Sequence, residues 1–369
     1  MERLESTVVR LDHLRTLTDD TGVLQHARGC IPDRSHGYCT DDNARAVIAA
    51  LLVPEVQPKE RSWCEQMLGR YMSFLDHAFN REIGRFRNFL SYDRQWREEV
   101  GSEDSQGRAH WALGVVIRRS ERWRSWALDL LRRALPAMET TVYARSMAFV
   151  LLGLHDCLAS NHGDGAIAHS QRRLAHRLYD LFASNAETEW PWPEDRLTYA
   201  NARIPHALLL AGRDLGDEAM LTMGLDALSW LLRIQRNSAG RFSPIGNEGW
   251  YVKGASCPRY GQQPIEAAAA VDACLAAARV TRNRRWHDAA EVCAAWFLGD
   301  NDGRMPMIDP STGGCYDGLY AEGVNPNQGA ESLLVWLISA CGLIEHRRRT
   351  AAEAIGADAM PVRDAVTTD

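Results

Sequence analysis

Two features of the sequence together predict an all-α fold, an (α/α)6 toroid of two concentric helix rings. Two kinds of helical segment alternate along nearly the whole chain, and a short Gly-Arg signal recurs in step with them. One kind of segment is amphipathic. Leu221, Leu225, Leu228 and Leu232 share a face, as do Leu174, Leu178 and Leu181, whose opposite side carries Arg172, Arg173, Arg177 and Asp180. The other kind is apolar nearly all round and must be covered on most faces: Ala44–Val53, Ala109–Ile117, Met147–Leu154, Ala267–Ala278 and Leu333–Leu343.

In chain order, amphipathic helices are expected over residues 4–18, 61–79, 121–135, 165–184, 217–235 and 283–298. Buried-type helices are expected to begin near 42, 107, 144, 202, 264 and 328. A four-helix bundle needs only one apolar stripe per helix, so it does not use six helices that are apolar all round. An inner ring covered by an outer ring accommodates both kinds. Gly84-Arg85-Phe86, Gly240-Arg241-Phe242 and Gly303-Arg304-Met305 each follow an amphipathic helix and open a stretch of turn residues. These stretches predict short β-hairpins on one rim of the ring. Residues 1–345 read as one domain. The tail 346–369 has no aromatic residue and reads as disordered.

The balance of 46% apolar and 24% charged residues is that of a globular chain with a sizeable core. Net charge is −6, and the one basic block, Arg347-Arg348-Arg349, is short, so a nucleic-acid partner is disfavoured. The longest uncharged apolar run, Ala46–Val53, has eight residues, too few to insert in a membrane. The start Met1-Glu2-Arg3-Leu4-Glu5 lacks the apolar stretch of a secretion signal. The nine cysteines include no CxxC pair and read as free thiols. Together these predict a cytoplasmic setting.

The chemistry-bearing residues gather where the buried helices start. Six clusters do so: Tyr38 to Arg45, Ser102 to Arg108, Thr140 to Arg145, Thr198 to Arg203, Gln262 to Glu266, and Asn325 to Ser332. In a toroid the inner helices all begin at one end, so the clusters would converge on one funnel mouth. Capping accounts for Thr, Ser, Asp and Asn at such places. It does not account for Arg45, Arg108, Arg145 and Arg203, because cations are disfavoured at a helix N-terminus. These four suit pairing with neighbouring carboxylates or with a hydroxyl-rich ligand; a solvated outer position is the plain alternative.

Asp41, Asp42, Glu103, Asp104, Glu194, Glu266 and Glu331 lie at or just before inner-helix starts. Cleavage of a glycosidic bond needs one protonated and one ionised carboxyl group, and a partly apolar funnel drives pKa values apart. Glu266 and Glu331 stand alone in apolar surroundings, as functional acids or as buried salt-bridge partners. Trp190 and Trp192, in a proline-stiffened loop, and Trp250 and Tyr260 could offer faces to sugar rings, with core packing the alternative. HExxH, EF-hand, P-loop and strand-linked GxGxxG patterns do not occur, so neither a metal nor a cofactor is expected. His36, His110 and His206 lie near the rim and keep histidine acid/base chemistry open.

Three strings carry a resemblance: Gly37-Tyr38-Cys39-Thr40-Asp41-Asp42-Asn43-Ala44-Arg45-Ala46, Leu197-Thr198-Tyr199-Ala200-Asn201-Ala202-Arg203-Ile204-Pro205 and Asn327-Gln328-Gly329-Ala330-Glu331-Ser332. They resemble bacterial (α/α)6-toroid proteins of the glycoside-hydrolase-like kind, which often occur beside or fused to glycosyltransferases. The resemblance runs from about Gly37 to Leu343. It implies the toroid, a carbohydrate ligand and a cytoplasmic setting, with a glycosyltransferase as a possible partner, and assigns no catalytic pair.

The residues themselves lead us to expect an inverting glycoside hydrolase. Its acid and base are drawn from Asp42, Asp104, Glu266 and Glu331. Asp41, Arg45, Arg108, Arg145, Tyr199, Asn201, Arg203, Gln263 and Asn327 would orient sugar hydroxyls, and Trp190, Trp192, Trp250 and Tyr260 would stack on rings. A sugar epimerase or isomerase working through His110 and His206, a phosphorylase, and a non-catalytic glycan-binding partner are the competing readings.

Overall fold

The computed structural model describes residues 9–160 and 165–358, with backbone alone for 354–358. Twelve α-helices are present among them. The inner ring is α2 (Thr40–Val56), α4 (Glu103–Arg119), α6 (Ala144–Ala159), α8 (Arg203–Leu215), α10 (Pro264–Thr281) and α12 (Ala330–Asp358). The outer ring is α1 (Asp12–Leu17), α3 (Arg61–Ala78), α5 (Arg124–Ala134), α7 (Gly165–Asn185), α9 (Glu218–Ile234) and α11 (Arg284–Ala295). Each inner helix packs on the next, and α12 closes the ring against α2. The alternation therefore becomes two rings for the reason the sequence gives. Ala267–Ala270 of α10 are wholly buried, whereas α9 buries only one stripe, including Leu228, Leu231 and Leu232.

Two boundaries differ from expectation. The first outer helix has only six residues, and positions 4–8 of its expected span lie outside the described residues. The last inner helix runs through His346 to Asp358, so residues 346–358 are helical where a disordered tail was expected. Arg, Ala and Glu are strong helix formers and carry a helix without any aromatic contact. Arg349 and Glu353 also stand 3.7 Å apart, one turn from each other. Residues 359–369 lie outside the described residues.

The strands are short antiparallel pieces at the end of the ring where the inner helices start. β1 (Leu24–Arg28), β2 (Ile31–Cys39) and β5 (Phe89–Leu90) form one sheet in the order β1-β2-β5. β3 (Phe79–Asn80) pairs with β4 (Arg85–Phe86), β6 (Arg196–Leu197) with β7 (Tyr251–Val252), and β8 (Gly318–Tyr320) with β9 (Gly323–Asn325). The three Gly-Arg repeats form equivalent Asn-led turns. The Asn80, Asn237 and Asn301 side chains accept from the backbone N–H of Glu82, of Ala239 and Arg241, and of Met305 respectively. Gly84 and Gly240 take the left-handed backbone these turns require, at φ +75° and +77°. In the third repeat Arg304 takes it instead, at φ +55°.

Candidate active site at the mouth of the toroid

β2 delivers its last residue, Cys39, as N-cap of α2, and the Cys39 Sγ accepts from the Asp42 N–H. The next two residues point to different neighbours. Asp42 is enclosed, its side chain 4% exposed. It accepts from Arg45 Nη1 at 2.7 Å and from Cys39 Sγ at 3.0 Å. Burial pushes its carboxyl up to about 6 against the pull of Arg45, and Glu331 pushes the same way. Arg45 is buried as well. Its other nitrogen reaches across to Glu331 of α12 at 2.6 Å, so one guanidinium ties the first inner helix to the last. Glu331 is the open member of the group, with its side chain 42% exposed.

Asp41 belongs to a second group, centred on Arg108 of α4. The Arg108 Nη1 lies 2.9 Å from Asp104 Oδ2 and 3.5 Å from Asp41 Oδ1. The guanidinium carbon sits 4.6 Å over the Phe149 ring. Asp41 is 21% exposed, and its Oδ1 has no hydrogen bond. Burial raises its pKa; Arg108 and Arg45 oppose that, while Asp104 and Glu331 add to it. Asp104 moves the other way. Burial pushes it up, but Arg108, the Tyr199 hydroxyl and Arg145 together bring it below the ordinary value. Tyr199 donates to Asp104 Oδ2 at 2.7 Å, and Ser146 of α6 donates to Oδ1 at 3.3 Å.

Arg145 supports this side of the mouth. It donates to the Tyr199 carbonyl at 2.6 Å and to Thr198 Oγ1 at 2.8 Å, and its guanidinium lies 4.3 Å over the Tyr199 ring. Glu194 stands 3.8 Å away, raised by burial against the pull of Arg145. The Tyr199 ring lies 6.3 Å from that of Trp250. Ala200 and Trp250 both hold left-handed backbone, at φ +48° and +51°. Residues other than glycine adopt it rarely.

The mouth thus unites Asp41, Asp42, Asp104, Glu331, Arg45, Arg108, Arg145 and Tyr199. Other expected residues have structural surroundings. Glu266 is buried under the loop before α8, where Asn201 donates to it through its backbone N–H (3.1 Å) and its side-chain amide (2.9 Å). Burial pushes Glu266 up to about 7, against the Asn201 hydrogen bonds. Trp190 and Trp192 are buried against Trp230, with Trp192 also against Phe182. Neither offers a face to a sugar, because the proline-stiffened loop turns both rings into the core. Arg203 pairs with Asp272 of α10 at 2.6 Å and lies 4.5 Å over Trp111. Asn327 accepts from the Gly29 N–H at 2.9 Å, tying the α12 approach to the β1–β2 turn. Gln263 is the N-cap residue of α10, its side chain making no capping bond. Tyr260 is exposed. Glu103 turns to Thr141 and to Arg85.

The histidines expected to serve an isomerase are away from the acids. His110 is buried, its Nδ1 2.7 Å from the Gln106 carbonyl, and burial pushes it down to about 4. His206 is also buried and held well below its ordinary value by burial, then by Arg203 and Arg279. His36 instead stands on β2 with its ring 4.5 Å from that of His26 on β1.

Sequence reasoning missed Asp272, Asp317 and Ser146. Asp272 gave the same signal as Glu266, a lone acid in an apolar run. Asp317 accepts from the Gly329 N–H at 2.9 Å and from Ser332 Oγ at 2.8 Å, and it lies in a loop where no periodicity marks a face. Among the described residues, no group of three or more His, Cys, Asp or Glu is placed to hold a metal, and no helix is long and apolar enough to cross a membrane.

No family model matches the chain, and no curated protein matches it in sequence. Solved structures do match in fold. A cellobiose 2-epimerase from Bacillus thermoamylovorans superposes with TM-score 0.71 at 13% identity, covering 94% of this chain and 97% of that one. A sugar epimerase from a ruminal bacterium gives 0.73 at 12% identity, covering 94% and 98%. A GH76 α-mannanase from Bacteroides thetaiotaomicron gives 0.63 at 11% identity, covering 92% and 95%. All three are sugar-processing enzymes, and at these identities they establish the (α/α)6 toroid for this chain.

Proposed function

We propose that the mouth cleaves a glycosidic bond, with Asp41 as the proton donor and Asp104 as its ionised partner. One observation carries this reading: Arg108 is shared by two carboxylates whose surroundings drive them apart, Asp41 upward and Asp104 downward. Such divergence is how a site assigns acid and base roles to chemically similar groups. The mannanase on the same fold and the resemblance of the three sequence strings agree with it.

Two carboxyl oxygens held by a single nitrogen at 3.5 and 2.9 Å stand closer together than the ~6.5–9.5 Å of inverting enzymes. The spacing therefore favours retention over the inversion expected from sequence. Asp104 attacks the anomeric carbon as Asp41 protonates the departing oxygen, giving a glycosyl ester on Asp104 and a free alcohol. The Asp41 carboxylate then takes a proton from water, which displaces Asp104 and releases the sugar. Glu331, the open partner of Arg45, orients hydroxyls. Enclosed by Arg45 and Cys39, Asp42 positions Arg45.

The test is a screen of manno-, gluco- and galacto-oligosaccharides, each with and without phosphate. Asp41→Asn and Asp104→Asn should each lower kcat/KM by ~10²–10⁴ with helix content unchanged. Azide should restore turnover to Asp104→Gly by forming a glycosyl azide of inverted configuration. Full activity in both amide variants would end this reading, and sugar binding without turnover would leave a glycan-binding protein.

Isomerisation or epimerisation is the second reading, favoured by the two epimerases on this fold and by the His26–His36 pair. It predicts an altered sugar with no bond cleaved, and loss of that reaction in His26→Ala.

A further inference from the structure

A cavity of about 1330 Å³ lies at the other end of the ring, where α10 ends, α11 begins and α12 passes over them. The sixteen helical steps from Glu331 to Arg347 put it about 24 Å from the mouth. Six arginines line it, at positions 279, 282, 284, 347, 348 and 349, against two carboxylates, Glu291 and Glu353.

Several of these cations are committed. Arg347 grips Glu291 with two nitrogens, and Arg348 donates to the carbonyls of Glu55 and Val56 at the end of α2, both at 3.1 Å. Arg349 lies 2.9 Å from His346 Nδ1 and 3.7 Å from Glu353. The guanidinium groups of Arg279 and Arg282 make no hydrogen bond or ion pair with any described residue. The surplus positive field marks its neighbours. Burial, then Arg349, His287 and Arg279, push His346 down to about 4.

We infer that this groove binds a small molecule carrying a chain of two or more phosphoryl groups. Guanidinium forks match phosphoryl oxygens in pairs. The uncommitted forks at the end of α10 and the arginines along α12 line one cavity, and its volume of about 1330 Å³ is far larger than one phosphate tetrahedron. A chain of phosphoryl groups can span it. The net charge of −6 disfavours nucleic acid as the occupant.

Titration calorimetry of the full chain at fixed ionic strength tests this with pyrophosphate, ADP, inorganic phosphate and an aspartate-rich peptide. Pyrophosphate should bind more tightly than inorganic phosphate, and Arg279→Ala/Arg282→Ala should weaken it at least ~10-fold, from the loss of charge-assisted hydrogen bonds. Arg279→Lys/Arg282→Lys, which keeps the charge, should retain part of the affinity. ADP tighter than pyrophosphate identifies a nucleoside diphosphate, and equal affinities identify the phosphate chain alone. The inference fails if neither ligand binds, if the double Ala variant binds as well as the parent, or if the peptide binds more tightly than both.

Discussion

Asp41 and Asp42 are adjacent in sequence and separate in role. The first turn of α2 aims Asp41 at Arg108 and encloses Asp42 with Arg45 and Cys39. Glu266 and Glu331 form a similar contrast, since both read as lone acids in apolar surroundings, yet only Glu331 opens to the mouth. The sequence made the acid-rich helix starts legible. Which acid faces the axis depends on helix phase to within one residue, and neither composition nor spacing supplies that. Burial of Trp190 and Trp192 was illegible for a similar reason, because a stiff aromatic loop can fold onto the core or away from it. Glu266 has a measurable consequence. Its folded pKa of about 7 stands above the ordinary ~4.3, so the folded state holds the proton more tightly. Its contribution to stability is fully present below about pH 4.3 and is lost as pH rises through about 7. Thermal melts from pH 4 to 8 should show a falling Tm component that Glu266→Gln abolishes.

At the scale of elements, the α4–α6 contact sets the geometry of the mouth. A Cβ built on Gly114 would penetrate the Gly153 backbone, and one on Gly107 would stand 2.9 Å from Phe149 Cβ and 3.0 Å from the Ser146 carbonyl. Gly107 and Gly114, two turns apart on α4, therefore let the helices meet backbone to backbone. This approach brings Ser146 within 3.3 Å of Asp104. Gly114→Ala should cost ~1–3 kcal/mol or more in urea unfolding, as overpacking does. Gly107→Ala should cost less stability but lower kcat by spreading the helix starts. Unchanged kcat in a well-folded Gly107→Ala would show that the Ser146 contact is dispensable. Helix identity and alternation were readable here because they follow from periodicity. The glycine pairing was not, since a small residue in an apolar run gives no sign of what it faces.

For the molecule as a whole, the count of six and six was readable, and so was the shared end of the ring. Ring closure depends on contacts between residues nearly three hundred positions apart, which local pattern does not reveal. Arg45 to Glu331 is one such contact, and Arg348 to the last carbonyls of α2 is another at the far end. Arg45→Met should cost ~3–5 kcal/mol, because it leaves Asp42 buried without its cation. Raising the pH above about 6, where Asp42 ionises, should enlarge the deficit.

The Arg45–Glu331 bridge also governs timing. Made from N to C terminus, the chain can stack α2 through α10 as an open arc before Glu331 emerges. Until α12 docks, Arg45 has no partner across the gap and the acidic pit lacks a wall. The mouth is complete only once α12 docks, so under the proposed function the appearance of activity during refolding should report completion of the circle rather than formation of helices.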